Sequence, residues 1–166
     1  MTEMAALFRT ISSGVYVIGV TDGRNQDAFT ASSISHVSYQ PLMLAVAVDP
    51  EHAAYSLLLA GRTWTASVLD QTQLDLAARF GTPPTSGFDK MRGIDWEYGT
   101  LGAPYLSSAV AYFDCRLAAE CPAGDHKIIV GRVIGGRILS AEGAPLLYRD
   151  TGDLDQSSLL YPECFE

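Results

Sequence analysis

A chain of 166 residues with 48% hydrophobic and 18% charged residues has the composition of one domain large enough to bury a real core, and not that of a disordered chain. Eleven Lys and Arg against nineteen Asp and Glu leave a net charge of −8, which argues against nucleic acid or an anionic membrane as a partner, since both demand clustered cations. Cys115, Cys121 and Cys164 form no C-x-x-C pair, so neither a disulfide scaffold nor a zinc site is expected.

In chain order, Leu7, Phe8 and Ile11 at helical spacing predict a helix over 3–12, with Thr2 as candidate N-cap and Gly14 just past its end. A strand over 14–21 follows, then the hairpin turn Asp22-Gly23-Arg24-Asn25. Residues 28–38 read as a single strand, unusually rich in small hydroxyl side chains, that Tyr39-Gln40-Pro41 breaks. A core strand would favour β-branched and aromatic residues; Thr30, Ser32 and Ser33 instead offer short donors and acceptors with room beside them, which suits a polar or anionic ligand close to the backbone. The plainer reading of the same residues is an edge strand with a solvated Ser/Thr face.

The apolar run 42–48 predicts a buried central strand. Asp49-Pro50-Glu51 reads as a helix start with Asp49 as N-cap; that helix turns Ala53, Ala54, Leu57 and Leu58 inward and stops at Gly61. A strand over 63–69 and a helix over 72–80, capped by Gly81, come next. The stretch 82–98 holds Pro83-Pro84, Gly87 and Gly93 among Phe88, Met91, Ile94 and Trp96; a loop of that length is expected to pack over a ligand or a second subunit. Strands over 110–120 and 127–139 flank a turn at 121–125, with Gly135-Gly136 a bulge or bend, and 145–148 is a last short strand. The sum is mainly β with short helices, an antiparallel barrel or sandwich.

No G-x-G-x-x-G, P-loop or G-x-S-x-G motif is present, so any nucleotide is bound without a Rossmann or P-loop frame. Asp150, Asp153 and Asp155 are most cheaply a solvated turn, without EF-hand spacing, and no metal site is expected. In Gly124-Asp125-His126 a carboxylate stands beside a histidine at a strand edge, where it can tune and aim the ring; the plainer reading is a turn cap and a half-exposed strand residue. His36 and His52 are single histidines among polar residues and need no special role. The N-terminal residues lack a signal-peptide pattern and no apolar run reaches membrane-span length, so a cytoplasmic location is expected.

Several segments, in order, resemble the flavin reductase-like family, whose fold is the antiparallel FMN-binding split β-barrel. They are Ser13-Gly14-Val15-Tyr16-Val17-Ile18, Thr30-Ala31-Ser32-Ser33 with Val37-Ser38, and Gln71 through Leu76-Ala77 to Phe80. Gly102-x-Pro104-x-Leu106 leading to Cys115, Gly124-Asp125-His126, Gly131-Arg132-Val133 and Pro145-Leu146-Leu147-Tyr148 continue the match. The resemblance implies a split-barrel domain over 1–150 and a C-terminal tail, 151–166, that packs on a partner subunit of a homodimer.

It further implies FMN, or FAD, as cofactor, held by Thr30, Ala31, Ser32, Ser33, Ser67, Phe80 and Gly81, with His126 beside the nicotinamide of NADH or NADPH as the catalytic histidine. Where relatives often place a basic or hydroxyl residue for the phosphate, this chain has Asp49-Pro50-Glu51-His52; Asp49 at the helix N-terminus, His52 and Ser56 are the candidates there. The implied activity is NAD(P)H-dependent hydride transfer to flavin, with reduced flavin passed to a partner monooxygenase or other acceptor protein. The alternative is a flavin-binding electron-transfer protein without nicotinamide turnover. A third reading, which the acidic 49–52 segment favours, is a relative that has lost flavin or binds another planar ligand.

Overall fold

Three residues, Ser32 to Ile34, carry the chain from one edge of its main sheet to the other, and the architecture follows from that short link. The computed structural model describes residues 3–83 and 87–165; Thr2, the candidate helix cap, and Pro84 lie outside the described residues. In chain order the elements are α1 (Glu3–Phe8), β1 (Tyr16–Thr21), β2 (Gln26–Ala31), β3 (Ser35–Tyr39), β4 (Leu42–Val48), α2 (Ala53–Gly61), β5 (Thr63–Val68) and α3 (Leu74–Gly81). Then come β6 (Trp96–Tyr98), β7 (Pro104–Leu106), β8 (Ala111–Ala123) and β9 (His126–Ile138).

Seven strands form one antiparallel sheet in the order β2-β1-β5-β8-β9-β4-β3, and β6 pairs with β7 apart from it. Laid flat, its outer strands would stand about 29 Å apart. The link from Ala31 to Ser35 can reach about 14 Å at most. The sheet therefore curls until β2 meets β4, giving an incompletely closed barrel.

Alternate residues of the strands fill that barrel: Ile18, Val20, Leu44, Val46, Trp64 and Ile129 are buried together, with Ala54 and Leu58 of α2 against them. Full burial of a side chain of this size contributes about 1.5–3 kcal/mol. A second apolar cluster on the outer face gathers Val17, Ala28, Leu69, Phe80 and Leu106. β5 lies between the two and is buried on both faces. Its hydroxyls are all engaged: Thr63 donates to Cys115 O, Thr65 to Pro104 O, and Ser67 Oγ accepts from Leu106 N at 2.9 Å. Gly19 lets β7 cross here, because a Cβ on it would stand 1.8 Å from Pro104 O.

The hairpin turn forms as expected, with Asp22 Oδ1 accepting from Arg24 N at 2.8 Å and Asn25 N at 2.7 Å. Other expectations need correction. The hydroxyl-rich stretch is two strands, not one, because Ser32–Ile34 must turn across the barrel opening. β4 is paired on both sides but buries only alternate residues. Helix α2 begins later than Asp49-Pro50-Glu51 predicts: Asp49 Oδ1 caps a turn through Glu51 N, and His52 is the N-cap, its Nδ1 accepting from Ala54 N at 3.1 Å. The chain leaves α2 through Arg62, in the left-handed region at φ 54°.

Gly81 is the last residue of α3 and not its cap, which is Thr82. Within 82–98, Met91, Ile94 and Trp96 pack on the protein's own outer cluster, while Phe88 is exposed beneath the Arg79 guanidinium. Cys121, Pro122 and Ala123 extend β8, which leaves Gly124-Asp125 as the turn. The bulge near Gly135-Gly136 is present, with the register shifting between Asp114 and Cys115. Residues 145–148 make only isolated bridges, Asp70 to Pro145 and Gly14 to Leu147, before a 3-10 turn at Tyr148–Thr151.

Among the described residues, no helix is long and apolar enough to cross a membrane.

Candidate functional site

Where β2 runs into its crossing link, an open groove of about 320 Å³ lies against the ends of β4, α3 and β9. Its walls bring together Thr30, Ala31, Ser32, Ser33, Asp49, His52, Phe80, Gly81 and His126, residues spread over nearly a hundred positions of the chain. Two predicted site residues stand elsewhere. Ser67 is fully buried in β5 and bound to Leu106 N, and Ser56 Oγ donates to Ala53 O at 3.0 Å on its own helix; neither lines the groove. Phe29, Ala47 and Val48 line it as well. Ala47 and Val48 read as core because they end an apolar run, and only the barrel's curl turns that end toward β2.

Each wall has a local cause. Thr30 Oγ1 donates to Ala77 O at 2.8 Å, tying β2 to α3 and keeping acceptor capacity on its oxygen. Ser33 Oγ accepts from Ala47 N at 3.1 Å across the opening. Ser32 Oγ has no partner among the described residues and can donate to a ligand. Phe80 is buried with its ring edge-on to Trp96, centroids 5.5 Å apart, which makes a rigid floor. A Cβ at Gly81 would meet Thr30 at an ordinary 3.6 Å, so glycine there keeps space open and relieves no clash.

The two histidines offer opposite hydrogen-bonding characters. His52, tilted against Phe29 with ring centroids 5.2 Å apart, accepts at Nδ1 from Ala54 N, so the neutral ring carries its proton on Nε2 and is a donor. Burial pushes its pKa down, the Lys90 ammonium adds to this, and Asp27 and Asp49 oppose it. His126, at the tip of the β8–β9 hairpin, pairs at Nδ1 with Asp125 Oδ1 at 2.7 Å. A carboxylate only accepts, so Nδ1 holds the proton and Nε2 of the neutral ring is an acceptor. The bond to His126 holds the Asp125 carboxyl below the usual carboxylate range.

A smaller cavity of about 120 Å³ adjoins the groove and shares Thr30, Ser32 and Gly81 with it; Tyr148, Thr151, Leu154 and Asp155 form its far wall. The segment after residue 150 thus packs on its own chain. It is pinned by Asp153 to Arg9 at 3.7 Å and by Tyr161 against Phe8.

An aromatic floor, alanine and valine walls, and a rim of serine and threonine hydroxyls suit a flat ring system that is apolar in its middle and polar at one edge. The same residues match the flavin reductase-like domain family over 8–155. The chain belongs to that family.

Members of the flavin reductase-like family match it closely in fold and moderately in sequence. A diflavin flavoprotein of Synechocystis is 31% identical over 136 residues, 80% of this chain and 23% of that protein. A probable flavin reductase of Rhizobium meliloti is 32% identical over 127 residues, 76% of this chain and 40% of that protein. The chain therefore spans well under half the length of these curated relatives. An NADH:FAD oxidoreductase of Streptomyces globisporus superposes with a TM-score of 0.81 at 28% identity, covering 90% of this chain and 89% of that one; its structure has also been solved with NAD and FAD fragments. The Streptomyces protein shares this chain's barrel fold.

Proposed function

We propose that this chain is an NAD(P)H:flavin oxidoreductase that takes hydride from a nicotinamide, delivers it to a flavin, and passes the reduced flavin or its electrons to a partner oxygenase or another acceptor. The observation that carries the proposal is the groove itself: a hydroxyl-rimmed slot with an aromatic floor and an aimed, carboxylate-paired histidine at its mouth.

The flavin, when bound, supplies the hydride-accepting ring; the chain supplies binding, orientation and hydrogen bonds. Thr30, Ser32 and Ser33 would hold its polar edge, Phe80 and Gly81 its flat face, and His52 Nε2–H would donate to an oxygen or ring nitrogen. His126 would hold the nicotinamide carboxamide, its Nε2 accepting from the amide N–H while Asp125 fixes the ring. Ser67 and Ser56 have no part in this reading.

A homodimer belongs to the same proposal. Leu42 and Ile138, exposed by 51% and 72%, continue an apolar face with Phe113, Val133 and Ile134 that a second copy would cover.

The test is direct. Protein mixed with FMN or riboflavin should hold a yellow flavin, and anaerobic NADH or NADPH should bleach it. A yellow protein that neither nicotinamide bleaches indicates the electron-transfer reading, and a protein that takes up no flavin overturns both.

A further inference from the structure

The groove's walls hold a carboxylate, Asp49, and no lysine or arginine among the described residues that line them. The cations nearby do not line the groove, although the Lys90 ammonium is close enough to act on His52. Lys90 is buried and faces Asp27 at 3.7 Å, and it lines a separate cavity with Arg79 and Phe88. The Arg79 guanidinium donates from Nε to Lys90 O at 2.7 Å and from Nη2 to Arg92 O.

The start of α2 offers an anion little. His52 Nδ1 takes up Ala54 N, His52 O takes up Tyr55 N, and Ser56 Oγ is turned to its own helix. His52 is held neutral by burial, and His126 is matched by the Asp125 carboxylate. Glu51, exposed beside Asp49, adds a second negative charge.

Resting on the flavin reading above, we propose that this site selects its flavin by charge, with Asp49 as the specificity-determining residue, so that riboflavin is bound at least as tightly as FMN. The isoalloxazine and ribityl parts of the two ligands are identical. They differ in a phosphate that brings close to two negative charges at neutral pH. In a groove lined by a carboxylate and by no lysine or arginine, that phosphate gains no charge-assisted hydrogen bond from the walls and is repelled. A dianion about 7 Å from a carboxylate in water-like surroundings is disfavoured about fivefold to tenfold, less as salt is added.

The experiment is a fluorescence titration of the flavin-free protein with riboflavin and with FMN, at low salt and at about 0.5 M salt, where screening is nearly complete. The expected result is a riboflavin Kd equal to or below that of FMN, with added salt strengthening FMN binding selectively. Asp49→Asn keeps an acceptor for Glu51 N and should raise the FMN-to-riboflavin affinity ratio about fivefold. FMN bound tighter than riboflavin at low salt, or a ratio that Asp49→Asn leaves within about twofold, would overturn the assignment while leaving the flavin reading intact. Failure of both flavins to bind would overturn that reading and this one with it.

Discussion

Ser33 Oγ and the Ala47 backbone N–H, 3.1 Å apart, close the gap between β2 and β4 that no strand pairing bridges. One side chain thus shapes the groove and ties the barrel where β2 and β4 meet. Ser33→Ala should cost about 1 kcal/mol in urea unfolding, the usual net value of such a bond, and should weaken flavin uptake. Replacing Ser32 and Ser33 together by Leu should abolish uptake while the protein stays folded by circular dichroism. Unaltered affinity in the double variant would put the flavin somewhere else.

His52 caps α2 as a neutral ring, so protonation and capping compete. Because burial depresses its folded pKa below the ordinary 6.5, the unfolded chain takes up the proton first as pH falls. The stability held by neutral His52 is therefore complete above 6.5 and is lost as pH drops through that value toward the folded pKa. Denaturation midpoints from about pH 8 to about pH 5 should fall less steeply in His52→Asn, which can still cap Ala54 N. His52→Ala loses the cap and should cost about 1 kcal/mol at neutral pH.

His126 is held by Asp125 at the mouth of the groove. His126→Ala should raise KM for the nicotinamide about tenfold, the value of one hydrogen bond of moderate strength, with a smaller change in flavin Kd. Asp125→Ala should act in the same direction but less. Steady-state kinetics beside a flavin titration separate the two readouts, and an unchanged KM in both variants would leave the ring without a role.

Cys115 is buried, whereas Cys121 and Cys164 are exposed. Burial, with the Asp114 carboxylate adding to it, pushes the Cys115 thiol up to about 12. Two thiols should react with a disulfide reagent in the native protein, and the third only on unfolding. The same shift means that the stability from the neutral thiol is complete below the ordinary 9.0 and is lost as pH rises from there toward 12.

Gly19 has backbone and not a side chain in its way, with Pro104 O at 1.8 Å from any added Cβ. Since backbone moves only with its neighbours, Gly19→Ala should destabilise by about 3 kcal/mol or more, read as a lower denaturation midpoint.

Local chemistry is legible in a linear chain. Asp22 to Asn25 announces its own hairpin, the alternation in β5 and β8 announces strands, and the hydroxyls of Thr30, Ser32 and Ser33 beside small neighbours announce a place for a polar ligand. Each depends on residues a few positions apart. β6 and β7, three residues each, are too short to carry a period, and they exist because the outer apolar cluster needs a cover. Asp49-Pro50-Glu51 satisfies every local rule for a helix start and still fails to be one, since His52, packed on Phe29, caps the helix instead.

The site divides in the same way. Ser67 and Thr30 have the same kind of side chain on strands of similar make-up, yet Ser67 is sealed between two apolar layers and Thr30 faces the groove. What separates them is their place in the sheet, β5 in its middle and β2 at its edge. Residue types and their order determined that this chain would be a β-barrel with a polar slot. Which hydroxyls reach that slot, and which carboxylate and histidines stand beside it, was decided by the curl that a three-residue link imposes on seven strands, because a contact between distant segments has no energy until the chain brings them together.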